Sequence, residues 1–315
     1  MRLFSRRPGQ GPRRRLRGNT QQAPPDPVLA PLSVAEAADL VRLAMRAASE
    51  RGLHARYDGD GALVTEDGMV AGLTNLARAV SGQRRRDWNE IVSSHFDQLS
   101  ENLQNPPDLP ADLNRNLYLR LVADDGIPDE WTEAATEVVP GVLCVPATYS
   151  DAFGNSAVSM HFDVSRLGMS REQAIQLGLA NLRRLRDEMR YLYHDGAEVA
   201  AISGTLFTAS RALVLDTVLR ETLNVENPSY GVLVATPVRD LLLVHVLRDR
   251  TVVPAMDLMV TVTTQSYSEH AGPISPHVYF VADGEWQQVT QHVDGAIRIV
   301  VGGAMADAVH RLGLM

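Results

Sequence analysis

Residues 169–289 constrain the fold more than any other part of the chain. A capped helix, a short apolar strand, a second helix and two more apolar strands follow one another there with regular punctuation, a pattern that calls for helices packed on a sheet. Ser170 and Gln173 have capping-box spacing ahead of a predicted helix that carries Ile175, Leu179, Leu182, Leu185 and Met189 on one side. Residues 199–202 read as a short strand, 208–223 as a helix with Leu213, Leu215, Val218, Leu219 and Leu223 inward, and 230–235 as a strand ended by Pro237. The nearly unbroken apolar run at 241–247 suits a strand buried on both faces. A helix over 254–266, strands at 277–281, 286–289 and 297–301, and a terminal helix complete this half.

Upstream the patterning is more varied. Residues 1–31 are rich in Arg, Gly, Gln and Pro and offer too little apolar surface to offset the entropy of ordering, which predicts a disordered tail. Ser33 and Glu36 then form a second capping box, before a helix with Leu40, Leu43, Ala44 and Ala47 on one stripe and Gly52 at its end. Residues 54–65 read as a hairpin around Asp58-Gly59-Asp60-Gly61; the downstream glutamate and alternating ligands of a calcium loop are missing. Residues 69–104 read as mainly helical. Val70, Leu73, Leu76 and Val80 share one face, Trp88, Ile91, Val92, Phe96 and Leu99 another, and Ser81-Gly82 breaks them apart. Arg84, Arg85 and Arg86 between the two faces read as a solvated charge run. The proline-rich segment 105–110 is a linker signal, a strand follows at 116–122, and another at 157–164. The fold class expected is α/β, with α+β as the alternative, in two small mixed sheet–helix domains. Residues 1–31 are the tail, 32–105 an N-terminal α+β domain, 106–156 a connecting region and 157–315 a C-terminal α/β domain.

Composition removes several chemistries. All 30 basic residues are arginine, so a Schiff-base lysine and the lysine of a phosphate-binding loop are both excluded. Seven arginines and one acid give the tail a net charge of +6, and with −8 for the whole chain residues 32–315 carry −14. Such an acidic body repels a phosphate backbone, so nucleic-acid binding is expected at most from the arginine tail, whose composition also allows contact with anionic lipid. Cys144, the single cysteine, lies in the apolar segment PGVLCVP, which excludes an intrachain disulfide and predicts a small buried side chain. No apolar run is long enough to span a bilayer, and the N-terminal arginines have no hydrophobic stretch behind them, so the protein is expected to be cytoplasmic and not transmembrane.

Among polar candidates, Arg239 and Asp240 follow a predicted strand, where open sheets form ligand crevices, although such a pair also suits a plain turn. Asp216 falls on a predicted helix as an exposed residue or a general base. His161, His270 and His277 can be drawn as three metal ligands, but they lack the spacing of a compact ligand pair, so no metal is expected. Ser203 and Ser210 lack a nucleophile-elbow motif, and nothing calls for a cofactor.

The segments SREQAIQLGLANL (170–182), ASRALVLD (209–216) and TPVRDL (236–241), with LTNL (73–76) before a helix, resemble in order an uncharacterised bacterial family, domain of unknown function 1444. The resemblance runs over about residues 33–290, departs from the family pattern between 128 and 156, and implies an architecture without a known activity. Well-formed elements without a convergent catalytic set lead to the expectation of a non-catalytic protein-binding module of adaptor, chaperone-like or immunity type. The alternative is a hydrolase or small-ligand-binding enzyme using Arg239 and Asp240 with Asp216 or a histidine.

Overall fold

The structure is a computed structural model that describes residues 24–66, 70–104, 109–124, 127, 132, 135–152, 155–293 and 296–314. Residues 1–23 of the expected tail, 105–108 of the expected linker, and Trp131 lie outside these.

In the N-terminal unit, the Ser33 backbone N–H and hydroxyl both donate to Glu36 Oε2, at 2.9 and 2.8 Å, and so fix the start of helix α1 (Val34–Glu50). Its apolar stripe buries Ala37, Leu40, Ala44, Ala47 and Ala48. Strands β1 (Ala55–Tyr57), β2 (Ala62–Thr65) and β3 (Val70–Gly72) form a small antiparallel sheet. Asp58 Oδ1 closes the β1–β2 turn by accepting from the N–H groups of Asp60 and Ala62, as the Asp-Gly spacing predicts. Helix α1 packs on β1 and on α3 (Trp88–Gln104), which also meets α2 (Thr74–Val80), with Leu73, Leu76, Val80, Trp88, Val92 and Phe96 in one core. The chain breaks at Gly82, as expected. Val70 belongs to β3 and not to the predicted helix, because the helical stripe begins only at Leu73.

The tail boundary at residue 31 also needs correcting. Leu29 and Leu32 are 1% and 2% exposed inside this core, and Asp26 Oδ1 accepts from the N–H groups of Val28 and Leu29. Two buried leucines three residues apart, with the hydrogen bonds around Asp26, anchor a segment whose average composition is polar.

After the single turn α4 (Leu113–Asn116) come β4 (Leu117–Ala123), β5 (Thr136–Val139), β6 (Val142–Ala152) and β7 (Asn155–Met160). The long β6 pairs with β4 on one edge and with β5 and then β7 on the other, always antiparallel. Residues 106–156, expected as a connection, therefore hold most of a sheet, and a boundary at 157 cuts through β7. Leu119, Leu121, Val142 and Ala147 share one core with Ile202, Val234 and Leu242 further on.

Helix α5 (Arg171–Arg184) starts at its capping box, where Gln173 N–H donates to Ser170 Oγ and Ser170 N–H to Gln173 Oε1. It is followed by β8 (Glu188–His194), β9 (Ala197–Ser203), a 3-10 turn (Ala209–Val214) and α6 (Leu215–Thr222). Next come β10 (Val232–Val238), β11 (Leu241–Val246) and α7 (Val252–Glu269). The chain ends in β12 (Val278–Ala282), β13 (Glu285–Gln288), the hairpin β14 (Thr290–Val293) and β15 (Ala296–Ile299), and α8 (Gly303–Arg311). Six of these strands form an antiparallel sheet in the order β13-β12-β10-β11-β9-β8.

Alternate residues of the central strands face opposite cores, as strand geometry requires. Ile202, Val232, Val234, Leu242 and Val244 pack toward the 3-10 turn, α6 and the β4–β6 sheet, while Val199, Leu233, Leu243 and Phe280 pack toward α7 and α8. The β11 run is thus buried on both faces, as expected, within a mixed α/β fold.

Three elements differ from their sequence patterns. The helix expected to reach Met189 stops at Arg184, and Met189 lies in β8; the inward positions Leu185 and Met189 fit a helix and an extended chain alike. The helix expected from 208 begins as the 3-10 turn. Strand β10 runs through Pro237 at a bulge between Ala235 and Val238, where the missing N–H has no ladder partner to satisfy. Among the described residues no helix is long and apolar enough to cross a membrane.

Candidate functional site

A groove of about 900 Å³ lies at the end of the sheet where β10 begins. Helix α6 contributes Asp216, Leu219 and Arg220, the segment before β10 contributes Glu226 and Asn227, and the β12–β13 hairpin contributes Asp283 and Trp286; Arg311 of α8 completes the lining. Asp216 is exposed at this wall, so the structure places one predicted site residue in a concave surface.

The groove rim has a fixed backbone. Asn227 and Asp283 of the lining hold left-handed conformations at φ 48° and 52°, a region that Asn and Asp adopt readily in tight turns. Val225 N–H donates to the Leu219 carbonyl at 2.9 Å and Gly231 N–H to the Pro228 carbonyl at 3.1 Å, which ties the rim to α6 and to itself. Gly231 has φ +76°, and a Cβ there would lie 2.7 Å from the Phe280 ring, so this position needs glycine on two counts. The Arg311 guanidinium sits 5.6 Å over the Tyr230 ring, and Trp286 packs edge-on to Tyr279 at 5.6 Å.

Arg239 and Asp240 are elsewhere. They form the turn from β10 to β11, at the opposite end of β10 from the groove, a separation of roughly 20 Å for a seven-residue strand. These two strands are central in the sheet, not at its edge, and no ion pair joins the two side chains: Asp240 is exposed and Arg239 half-buried. Arg239 N–H donates to the Gly272 carbonyl at 2.9 Å and its carbonyl accepts from Ala209 N–H at 3.1 Å. Arg239 and Asp240 therefore do not converge with Asp216.

A buried ion pair joins Asp187 and Arg211. Their side chains are 0% and 1% exposed and meet at 3.2 Å, with Thr208 Oγ1 donating to Asp187 Oδ1 at 3.0 Å. Gly204 makes room for the carboxylate, since a Cβ there would lie 2.6 Å from Asp187 Oδ1. The sequence contained a partial signal: Arg211 stands four residues before Leu215 and eight before Leu219, on the stripe that points inward. Nothing comparable marked Asp187, which follows Arg186 and precedes Glu188.

The histidines are dispersed. His161 Nε2 meets Thr148 Oγ1 at 2.9 Å, whereas His277 stands against His292 at 5.2 Å between ring centres. His270 ends α7. Among the described residues no group of three His, Cys, Asp or Glu side chains could hold a metal ion. His245 places Nδ1 2.7 Å from the Glu198 carbonyl, so that nitrogen carries the proton, and Nε2 is buried without a partner. Burial pushes the Cys144 thiol up to about 12, which makes it a neutral core side chain, as its apolar neighbours predict.

No protein-family model, no curated protein and no solved structure matches this chain.

Proposed function

We propose that the protein is a non-catalytic binding module, of adaptor, chaperone-like or immunity type, that holds a segment of another protein in the groove between α6 and the β12–β13 hairpin. The observation that carries this reading is the groove lining. Trp286, Arg220 and Arg311, residue types that dominate binding energy at interfaces, stand among Asp216, Glu226 and Asp283 on a rim held by backbone hydrogen bonds. A fixed concave surface with both signs of charge lowers the ordering cost of binding and selects a partner by charge pattern. The enzymatic alternative draws on Arg239 and Asp240 with Asp216 or a histidine, and of these β10 holds Asp216 at the opposite end from the other two. One buried thiol and the acidic body suit a cytoplasmic setting.

Photo-crosslinkers placed at positions 216 and 226, with a control at 240, test the reading in the native cells. The expected result is one shared protein adduct from the two groove positions, absent from the control and abolished by Trp286→Ala with Arg220→Ala. An adduct that forms equally from position 240, or survives the double substitution, overturns it.

A further inference from the structure

Two histidines meet where the β12–β13 ladder runs on into the β14–β15 hairpin. Val289 N–H donates to the Val278 carbonyl at 3.0 Å and Val278 N–H to Thr290 Oγ1 at 2.9 Å, which sets the start of β14 against the residue ahead of β12. That residue is His277. Its ring centre lies 5.2 Å from that of His292 on β14, with the two planes 74° apart. The sequence pattern suggested His161 and His270 as companions of His277; the fold supplies His292 instead.

The half-buried His277 ring is held by one nitrogen. Its Nδ1 lies 3.4 Å from Oγ1 of the buried Thr290. When Nδ1 carries the proton the lone pair is on Nε2, which has no hydrogen-bond partner among the described residues and, unlike Nε2 of His245, is not shut off from solvent. Burial first, and then the neighbouring His292, hold His277 below the ordinary 6.5, so at pH 7 its lone pair is available. His292 is exposed and makes no hydrogen bond among the described residues, which leaves its ring free to turn a nitrogen toward the gap.

A metal ion holds an imidazole nitrogen at about 2.0–2.1 Å, and the ring centre lies roughly 1.1 Å behind it, so a shared ion sets two ring centres about 4.5 Å apart at a right angle and about 5.2 Å at the tetrahedral angle. The two rings already have that separation. Imidazole favours late first-row divalent ions, and the net charge of −14 on residues 32–315 draws a cation toward the surface. We propose that His277 and His292 form a two-histidine site for a divalent ion of the nickel, copper and zinc class, which ties the β14–β15 hairpin to the start of β12. Water from the exposed side of His292 completes the coordination shell. Neither histidine lines the groove, so the site does not depend on what the groove holds.

Titration calorimetry of the full chain, stripped with a chelator and exchanged into a buffer that does not bind metals, tests the site with zinc chloride and nickel chloride as probes. The expected result is one saturable site per chain for at least one of the two ions. His277→Gln and His292→Gln should each weaken it by about tenfold or more, while His310→Gln on the terminal helix leaves it unchanged. The melting temperature of the parent should rise with the bound ion, and the rise should vanish in His292→Gln, whose exposed position spares the fold. Absence of saturable binding by either ion overturns the proposal, as does undiminished affinity in His292→Gln. An equal loss in His310→Gln also overturns it, since that result means that surface histidines collect the ion adventitiously.

Discussion

The core of residues 29–99 and the cores on the six-stranded sheet differ in what they bury. The first is closed by Leu29, Leu40, Leu73, Trp88 and Phe96, with Thr65 as the buried polar residue among the described residues of that span. The second encloses an ion pair, His245, Asn181 and a series of Ser and Thr residues. An apolar core is judged by volume alone, whereas a polar core adds the requirement that each group find a partner. Asp187 and Arg211 meet that requirement for each other, although Arg211 Nε remains without one. The sharpest break of this comparison is Asp187→Ala, which strands a fully buried guanidinium and should cost about 3–5 kcal/mol in urea unfolding. A loss below about 1 kcal/mol would mean that water or another group reaches Arg211.

In the apolar core the corresponding cut is Leu29→Ala. It should cost about 2–5 kcal/mol, the range for a leucine truncated in a packed interior. The same substitution separates a packed segment from a solvated one, because a residue in a disordered tail changes stability by almost nothing. An unchanged unfolding midpoint would remove Leu29 from the core.

This contrast also explains what was legible in the sequence. Capping boxes at Ser33 and Ser170, the Asp58 turn and the β11 run were readable because each is decided by neighbours in sequence. Met189 was misassigned because an inward position four residues beyond Leu185 satisfies a helix, while an extended chain from Leu185 onward lets Asp187 turn toward Arg211. The span 106–156 hid its sheet because β6 pairs with three different strands, a long-range arrangement that no local pattern records. Of the candidate site, Asp216 was found and its groove was not, since the lining comes from α6, a loop, a hairpin and the terminal helix.

The polar core should also make stability depend on pH. Burial holds His245 below its ordinary value of 6.5, against smaller opposing effects from the Glu198 carbonyl and Asp249. Burial likewise lowers His161 and His277. As pH falls below about 6.5 the unfolded chain takes up protons before the folded one, so the stability held above that pH declines on acidification. Urea midpoints measured from pH 7.5 down to 5.5 should fall. His245→Gln, which keeps a donor for the Glu198 carbonyl, should remove part of the slope and leave the share of His161, His277 and, outside this core, His95 of α3, which burial also lowers. A flat profile in the parent would show that these rings are hydrated in solution.

The smallest effect is expected at Asp240, and it separates the two residues of the β10–β11 turn. Asp240 is exposed and forms no ion pair among the described residues, so Asp240→Ala should change stability by no more than about 0.5 kcal/mol, the usual range for a surface site without partners. Arg239, by contrast, is half-buried with its stem laid across Gly272, so truncating it removes packing as well as charge. Arg239→Ala should therefore cost more than Asp240→Ala in urea unfolding, and equal losses at the two positions would mean that the carboxylate holds the turn as firmly as the arginine does.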